Sequence, residues 1–221
     1  MPRREAPRGS KVYTLKVTLE ESEPPIWRRF QVSNQMTLGE LHYILQIAMG
    51  WSNSHLHEFH IGREKYGAIL PDDYDQGPLN NEDESELREV LKRRGAKFRY
   101  VYDFGDYWMH EIVVEDVTEP QQGVRYPICI DGERRCPLED CGGIGSYYDM
   151  LEILQDPTHE EHETYREWVP EEFNPDTFDA AETTKYLDEI DEWRSEAESD
   201  DELDDVDESS VVRNYGEPIH R

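Results

Sequence analysis

Between residues 37 and 62 the chain reads TLGELHYILQIAMGWSNSHLHEFHIG, and the period of its apolar positions changes part-way along. Leu38, Leu41, Leu45, Ala48 and Met49 recur at helical spacing with His42 on the same stripe, which predicts an amphipathic helix facing a core. Thr37 is placed to cap its N-terminus. Gly50 stands where a left-handed residue ends a helix, and Trp51 follows as an apolar anchor. Residues 55–61 then alternate with period two: His55, His57, Phe59 and Ile61 share one face of a predicted strand, and Leu56, Glu58 and His60 the other. If Phe59 and Ile61 face the helix, His55 and His57 face it too.

The same alternation marks further strands. Residues 11–20 place Tyr13, Leu15, Val17 and Leu19 on one side, and residues 26–32 return after the turn ESEPP as the second strand of a hairpin. There Arg28 shares a side with Ile26, Phe30 and Val32 while Arg29 lies with Trp27, so one arginine is expected to be partly buried, stacked or paired with a carboxylate. Residues 66–70 predict a short strand, residues 71–86 an acidic mobile loop, and residues 87–91 a helical turn. Residues 97–104 carry Phe98, Tyr100, Tyr102 and Phe104 on one face. A turn at Gly105–Asp106 leads back through Trp108, His110, Ile112 and Val114. Hairpin, helix and strand in this order predict an α+β fold, a curved β-grasp-like sheet over one helix. Residues 126–145, rich in turn formers and cysteine, predict an ordered loop, and residues 147–154, 160–168 and 180–193 predict three helices packed at one edge of the sheet. The expected organisation is a disordered leader at 1–10 and a single domain at 11–194, with its sheet and helix core at 11–117 and the cysteine-containing loop and helices at 118–194. A disordered acidic tail at 195–221 completes it.

Charge narrows the functional classes. The chain carries 51 Asp and Glu against 23 Lys and Arg, a net charge of −28, and removing its most acidic stretch still leaves an acidic protein. Such a field repels phosphate backbones, so specific DNA binding is not expected. No apolar run reaches the length of a membrane span and the N-terminus lacks the apolar core of a signal peptide, so a cytoplasmic protein with no membrane contact is expected. Three cysteines fit reduced thiols or metal ligation better than a disulfide framework.

Several stretches in the same order resemble one family. PPIWRR, TLGELHYILQIAMGW, HLHEFHIG, YVYDFGDYWMHEI, RYPICIDGERRCPLEDCGG and DPTHEEHETYREW together resemble the plasmid pRiA4b ORF-3-like proteins over about residues 11–190. Members are often labelled transposon-associated, TnpR-like passenger proteins. The resemblance implies a compact α+β domain found on plasmids, other mobile elements and prokaryotic chromosomes, with no established activity. Two positions depart from the family's usual pattern: Tyr107 stands where glycine is usual and Leu138 where a second proline is usual.

The candidate chemistry rests on histidines and acids. His42, His55 and His57 are expected to converge, with His110, Asp103 and Asp106 near them, either as hydrogen-bonded side chains at the core's edge or as ligands of zinc or another divalent metal. HLHEFH is not a zinc-protease helix, because His57 and His60 are three apart and the segment reads as a strand. The triplet Asp103-Phe104-Gly105 has no kinase motifs around it and reads as a turn. Asp131, Glu139 and Asp140 with Gly142 and Gly143 form a second candidate site, for a cation or a cationic partner. Of the metal candidates His55, His57, Cys129, Cys136 and Cys141, the cysteines lack the spacing of a zinc knuckle. No nucleophilic serine amid arginines and no basic DNA-reading helix are visible, and the Trp27, Arg28 and Arg29 patch is small for nucleic-acid readout. The expected function is therefore a binding or protein-interaction module for an unknown protein or small ligand, without a predicted cofactor. A metal-dependent hydrolase or nuclease-like enzyme and a resolvase-like DNA-binding protein are the alternatives.

Overall fold

The computed structural model describes residues 3–69 and 78–189. The expected acidic tail lies outside the described residues, as do the whole PDDYDQG stretch and the end of the third predicted helix.

Among the described residues ten strands and five helices follow in order: β1 (Arg4–Glu5), β2 (Val12–Leu19), β3 (Trp27–Ser33), α1 (Leu38–Met49), β4 (His57–Ile61), β5 (Glu64–Gly67), β6 (Asn80–Asn81), α2 (Leu87–Val90), β7 (Lys97–Tyr102), β8 (Trp108–Thr118), β9 (Arg125–Tyr126), β10 (Ile128–Glu133), α3 (Gly143–Gln155), α4 (His162–Trp168) and α5 (Ala180–Tyr186). The expected α+β class is what the chain adopts. Eight strands form one sheet in the order β10-β3-β2-β8-β7-β4-β5-β6, antiparallel except for the β5-β6 pair.

One face of this sheet is the core. Tyr13, Leu15, Val17 and Leu19 from β2 are buried with Phe30 and Val32 from β3, Phe59 from β4, and Ile112 and Val114 from β8. The same cluster contains Leu38, Leu41, Ile44, Leu45, Ala48 and Met49 of α1 and Tyr147 and Met150 of α3. Helix α1 begins in a capping box: the Thr37 side chain accepts from the Glu40 N–H, and the Glu40 carboxylate accepts from the Thr37 N–H. It ends in a Schellman arrangement at Gly50, φ 78°, where the Trp51 N–H reaches the Gln46 carbonyl and the Gly50 N–H the Ile47 carbonyl.

The register decides between the two arginines of β3. Arg28 points into the core and is 2% exposed, donating to the carbonyls of Ala48, Trp27 and Glu133 and to the Cys136 sulfur, with Phe178 stacked on its guanidinium. Arg29 points outward to Glu115 and Asp131.

Three expectations need correction. Residues 126–145 are not simply a loop: β10 pairs with β3 as an edge strand, with a register irregularity between Cys129 and Asp131 that breaks the alternation. The leader is not wholly unstructured, because Arg4–Glu5 pairs with β9 and Arg3 donates to the Pro127 carbonyl. The predicted strand at 55–61 begins only at His57, so His55 belongs to the loop before it.

Candidate functional site

The polar centre of the molecule forms where α1, β4 and β7 meet. His42 is 2% exposed on α1, and one turn later Gln46 is fully buried. The Gln46 amide donates to the Tyr100 hydroxyl (2.9 Å), and Tyr100 lies 2.8 Å from His42 Nδ1. His42 Nε2 lies 2.7 Å from Asn53 Oδ1, and the Asn53 N–H returns to Gln46 Oε1 at 3.1 Å. The circuit closes, with both His42 nitrogens and the Tyr100 hydroxyl paired, if Tyr100 donates to Nδ1 and Nε2–H donates to Asn53. That is a neutral imidazole. Burial, and then the neighbouring His57, hold the His42 pKa well below its ordinary value.

His57 stacks on His42, ring centroids 3.5 Å apart and planes within 3°. Its Nε2 meets both oxygens of Glu82, at 2.8 and 3.0 Å. Glu82 is 4% exposed; burial raises its pKa to about 7, and burial lowers that of His57 to about 3. The two therefore hold one proton between them from about pH 3 to about pH 7.

A more open site borders this centre. Trp51 stacks on Tyr102 (5.0 Å, 19°) and donates to the Pro137 carbonyl, which ties residues 51–54 to residues 136–143. The Tyr102 hydroxyl donates to Glu139 and accepts from the Ser54 N–H, and Glu139 also accepts from the Ser52 N–H and hydroxyl. Beyond Tyr102 the chain turns at residues 103–107: the Asp103 N–H donates to the Leu56 carbonyl and the Tyr107 N–H to the Asp103 carbonyl. His55 Nε2 then lies 3.0 Å from Asp140 Oδ1 and 3.7 Å from Asp103 Oδ2. Asp106 accepts from the Gly142 N–H, which joins the turn to the segment carrying Asp140.

The backbone is strained here. Of six non-glycine residues at positive φ among the described residues, four line this rim: Asn53 (61°), Asp103 (56°), Tyr107 (59°) and Asp140 (60°). Tyr107 occupies a left-handed position that glycine would take without penalty. Three of the six exposed large apolar side chains among the described residues, Leu56, Phe104 and Tyr107, stand at the same rim.

The predicted residues are thus divided. His42 and His57 converge as expected, whereas His55, ahead of the strand, joins Asp103 and Asp140 instead. His110 is fully buried opposite Tyr100, edge-on to Trp51, with no side chain on either ring nitrogen. Burial lowers its pKa to about 4. Asp131 does not join Glu139 and Asp140, because β10 places it across from Arg29, which it pairs at 2.8 Å. The cysteines do not assemble either. Among the described residues His55, Asp103 and Asp140 are the one group of three such side chains with ligand atoms within 4.8 Å of one another. Burial raises the thiols of Cys129 to about 11, Cys136 above its usual value and Cys141 to about 12, so they are protonated. Tyr100 lies on the aromatic face predicted for its strand, whereas Glu82, Asn53 and Gln46 are not among the predicted residues. Only Gln46, a second polar residue on the apolar helical stripe, left a signal in the sequence.

Among the described residues no helix is long and apolar enough to cross a membrane. The chain is 42% identical over 158 residues to the uncharacterized protein y4hQ of Sinorhizobium fredii, covering 71% of this chain and 80% of that one. It is also similar to the crystal structure of MM3350, a protein of unknown function from Methanosarcina mazei Go1, with a TM-score of 0.71 and 36% identity over 78% of this chain and 97% of that one. Residues 11–182 match the family described as plasmid pRiA4b ORF-3-like protein, and the chain belongs to that family.

Proposed function

We propose that this protein is a binding module whose binding face is the rim of residues 51–57, 103–107 and 136–143, and that its ligand is positively charged. The observation that supports this reading is the composition of the rim. Asp103, Asp106, Glu139 and Asp140 converge there, and among the described residues none meets a lysine or arginine at ion-pair distance. His55 is the one basic side chain among them, and Leu56, Phe104 and Tyr107 stand exposed around it. Carboxylates beside exposed aromatic rings suit a cation, through charge and through the ring faces.

The buried His42, His57 and Glu82 centre has a different role in this reading. His42 is paired with Tyr100 and Asn53, and His57 Nε2 with Glu82, which makes the centre a polar brace that holds α1 against β4 and β7. The test is amide chemical-shift mapping with a lysine- and arginine-rich peptide containing one aromatic residue. A glutamate-rich peptide of the same length and a DNA duplex serve as controls. Shifts confined to residues 52–57, 103–107 and 139–143, weakened by added salt and absent with both controls, are expected. Shifts produced elsewhere, or by the acidic peptide, would overturn the reading.

A further inference from the structure

We propose that the positive ligand of this rim is a divalent metal ion held by His55, Asp103 and Asp140. The inference rests on the rim being the binding face and names what it binds. Three donors of the right kinds are already gathered: His55 Nε2 lies 3.0 Å from Asp140 Oδ1 and 3.7 Å from Asp103 Oδ2, and all three ligand atoms fall within 4.8 Å of one another. A metal with bonds of about 2.1 Å separates neighbouring ligands by about 3.0 Å in octahedral and about 3.4 Å in tetrahedral geometry. The two histidine–carboxylate separations span those values, so small side-chain adjustments seat an ion.

The supporting contacts leave the ligand atoms to one another: His55 Nε2 and Asp140 Oδ1 share a hydrogen bond that an ion would replace. Asp103 is 7% exposed, and its Oδ1 is taken by the Gly105 N–H at 2.8 Å, which leaves Oδ2 directed at His55. Asp103 and Asp140 both sit at left-handed backbone positions, φ 56° and 60°. The Asp106 carboxylate clamps the Gly142 N–H, and a side chain on Gly143 would meet the Asp106 carbonyl at 2.7 Å, so the two loops carrying the acids are packed in contact. The His55 ring is edge-on to Tyr102 at 5.8 Å, which restricts its rotation. Without an ion the two carboxylates face one imidazole, and together they exceed its charge even when it is protonated. One imidazole and two carboxylates suit zinc or manganese rather than calcium, which takes six to eight oxygens. Three protein ligands leave coordination positions for water or for a group on a partner, and Leu56, Phe104 and Tyr107 flank that opening.

The experiment uses the full chain, purified without a histidine tag and stripped with chelator. Zinc and manganese uptake is measured by equilibrium dialysis with elemental analysis, and the position of Mn²⁺ by paramagnetic broadening of amide signals. One equivalent per chain is expected, with broadening centred on residues 55, 103 and 140. Asp140→Asn, at a carboxylate whose side chain is 72% exposed, should fold normally and weaken binding at least about tenfold, and His55→Gln should do the same. Asp103→Asn is the less informative variant, because that residue is buried. Absence of stoichiometric uptake, unchanged uptake in Asp140→Asn and His55→Gln, or broadening centred on the acids of α3 would overturn the site. If metal does not bind but the basic peptide still shifts the rim, the site falls and the binding-face reading stands. If neither binds, both fall.

Discussion

Acid should destabilise this protein well before its surface carboxylates titrate, and His42 and His110 should be the source. Both imidazoles are buried and held neutral in the fold, His42 with its pKa well below the ordinary value and His110 at about 4. In the unfolded chain each titrates near 6.5. The unfolded state then binds more protons than the fold below that pH. The stability these residues contribute is complete above about pH 6.5 and is lost as the pH falls through it. Each excess proton is worth about 1.4 kcal/mol per pH unit, so going from pH 7.5 to pH 5 loses about 2 kcal/mol per histidine and about 4 kcal/mol for the two. The Glu82–His57 pair changes this little. It gains its proton near pH 7 in the fold and near 6.5 unfolded, an offset of about 0.7 kcal/mol in the opposite sense. About 3 kcal/mol remains, a large share of a typical domain's stability. Urea unfolding followed by tryptophan fluorescence across pH 5.0–7.5, with chelator present to exclude metal linkage, measures it. His42→Gln keeps an acceptor for Tyr100 and a donor for Asn53 but cannot titrate, so its loss over the same interval should fall to about 1 kcal/mol. An unchanged pH slope in that variant would refute the assignment.

Other substitutions test individual joints of the structure. Gly143→Ala forces a side chain onto a residue at φ +81° and within 2.7 Å of the Asp106 carbonyl, and should cost about 2 kcal/mol by thermal denaturation. Gly145→Ala, in the same helix with nothing within 4 Å of the added carbon, should instead stabilise by about 0.5–1 kcal/mol. Thr37→Ala removes the side-chain half of the capping box and should cost about 1 kcal/mol in urea denaturation, with no change at the rim's amide signals. Arg28→Met should cost about 3 kcal/mol by the same measurement. It strips donors from the Ala48 and Glu133 carbonyls and a cation from the Phe178 ring at the junction of β3, α1 and β10.

What the sequence could and could not disclose follows from the range of the interactions involved. The α1 stripe, the Thr37 and Gly50 caps and the alternation of β2, β7 and β8 depend on neighbours a few residues away, and those were readable. The stacked pair of His42 and His57 followed one step further, from two local periodicities facing each other. Beyond that, partners are set by register. Asp131 looked like a companion of Glu139 and Asp140 in one acidic loop until β10 placed it opposite Arg29, because Asp131-Gly132 and the irregularity after Cys129 hide the strand's alternation. Glu82 is one acid in the stretch NNEDESE with nothing local to distinguish it, and long-range pairing, of β6 with β5 and of residues 82–86 with the start of α1, carries that segment back to His57.

The rim shows why the candidate site was harder to read than the core. A core residue announces itself by periodicity, since burying apolar surface rewards a repeating pattern. His55, Asp103 and Asp140 come instead from three separate turns that interrupt the periodicity, and two of the three stand at left-handed positions that carry no strong residue signature beyond a mild preference for Asn and Asp. Their meeting depends on the aromatic and backbone contacts beneath them: Trp51 on Tyr102, the Tyr102 hydroxyl on Glu139, and the Asp106 carboxylate on the Gly142 N–H. Those contacts hold strained turns in place over a rigid sheet. This combination keeps the three side chains within tight limits while leaving Asp140 open to solvent, as the proposed site requires.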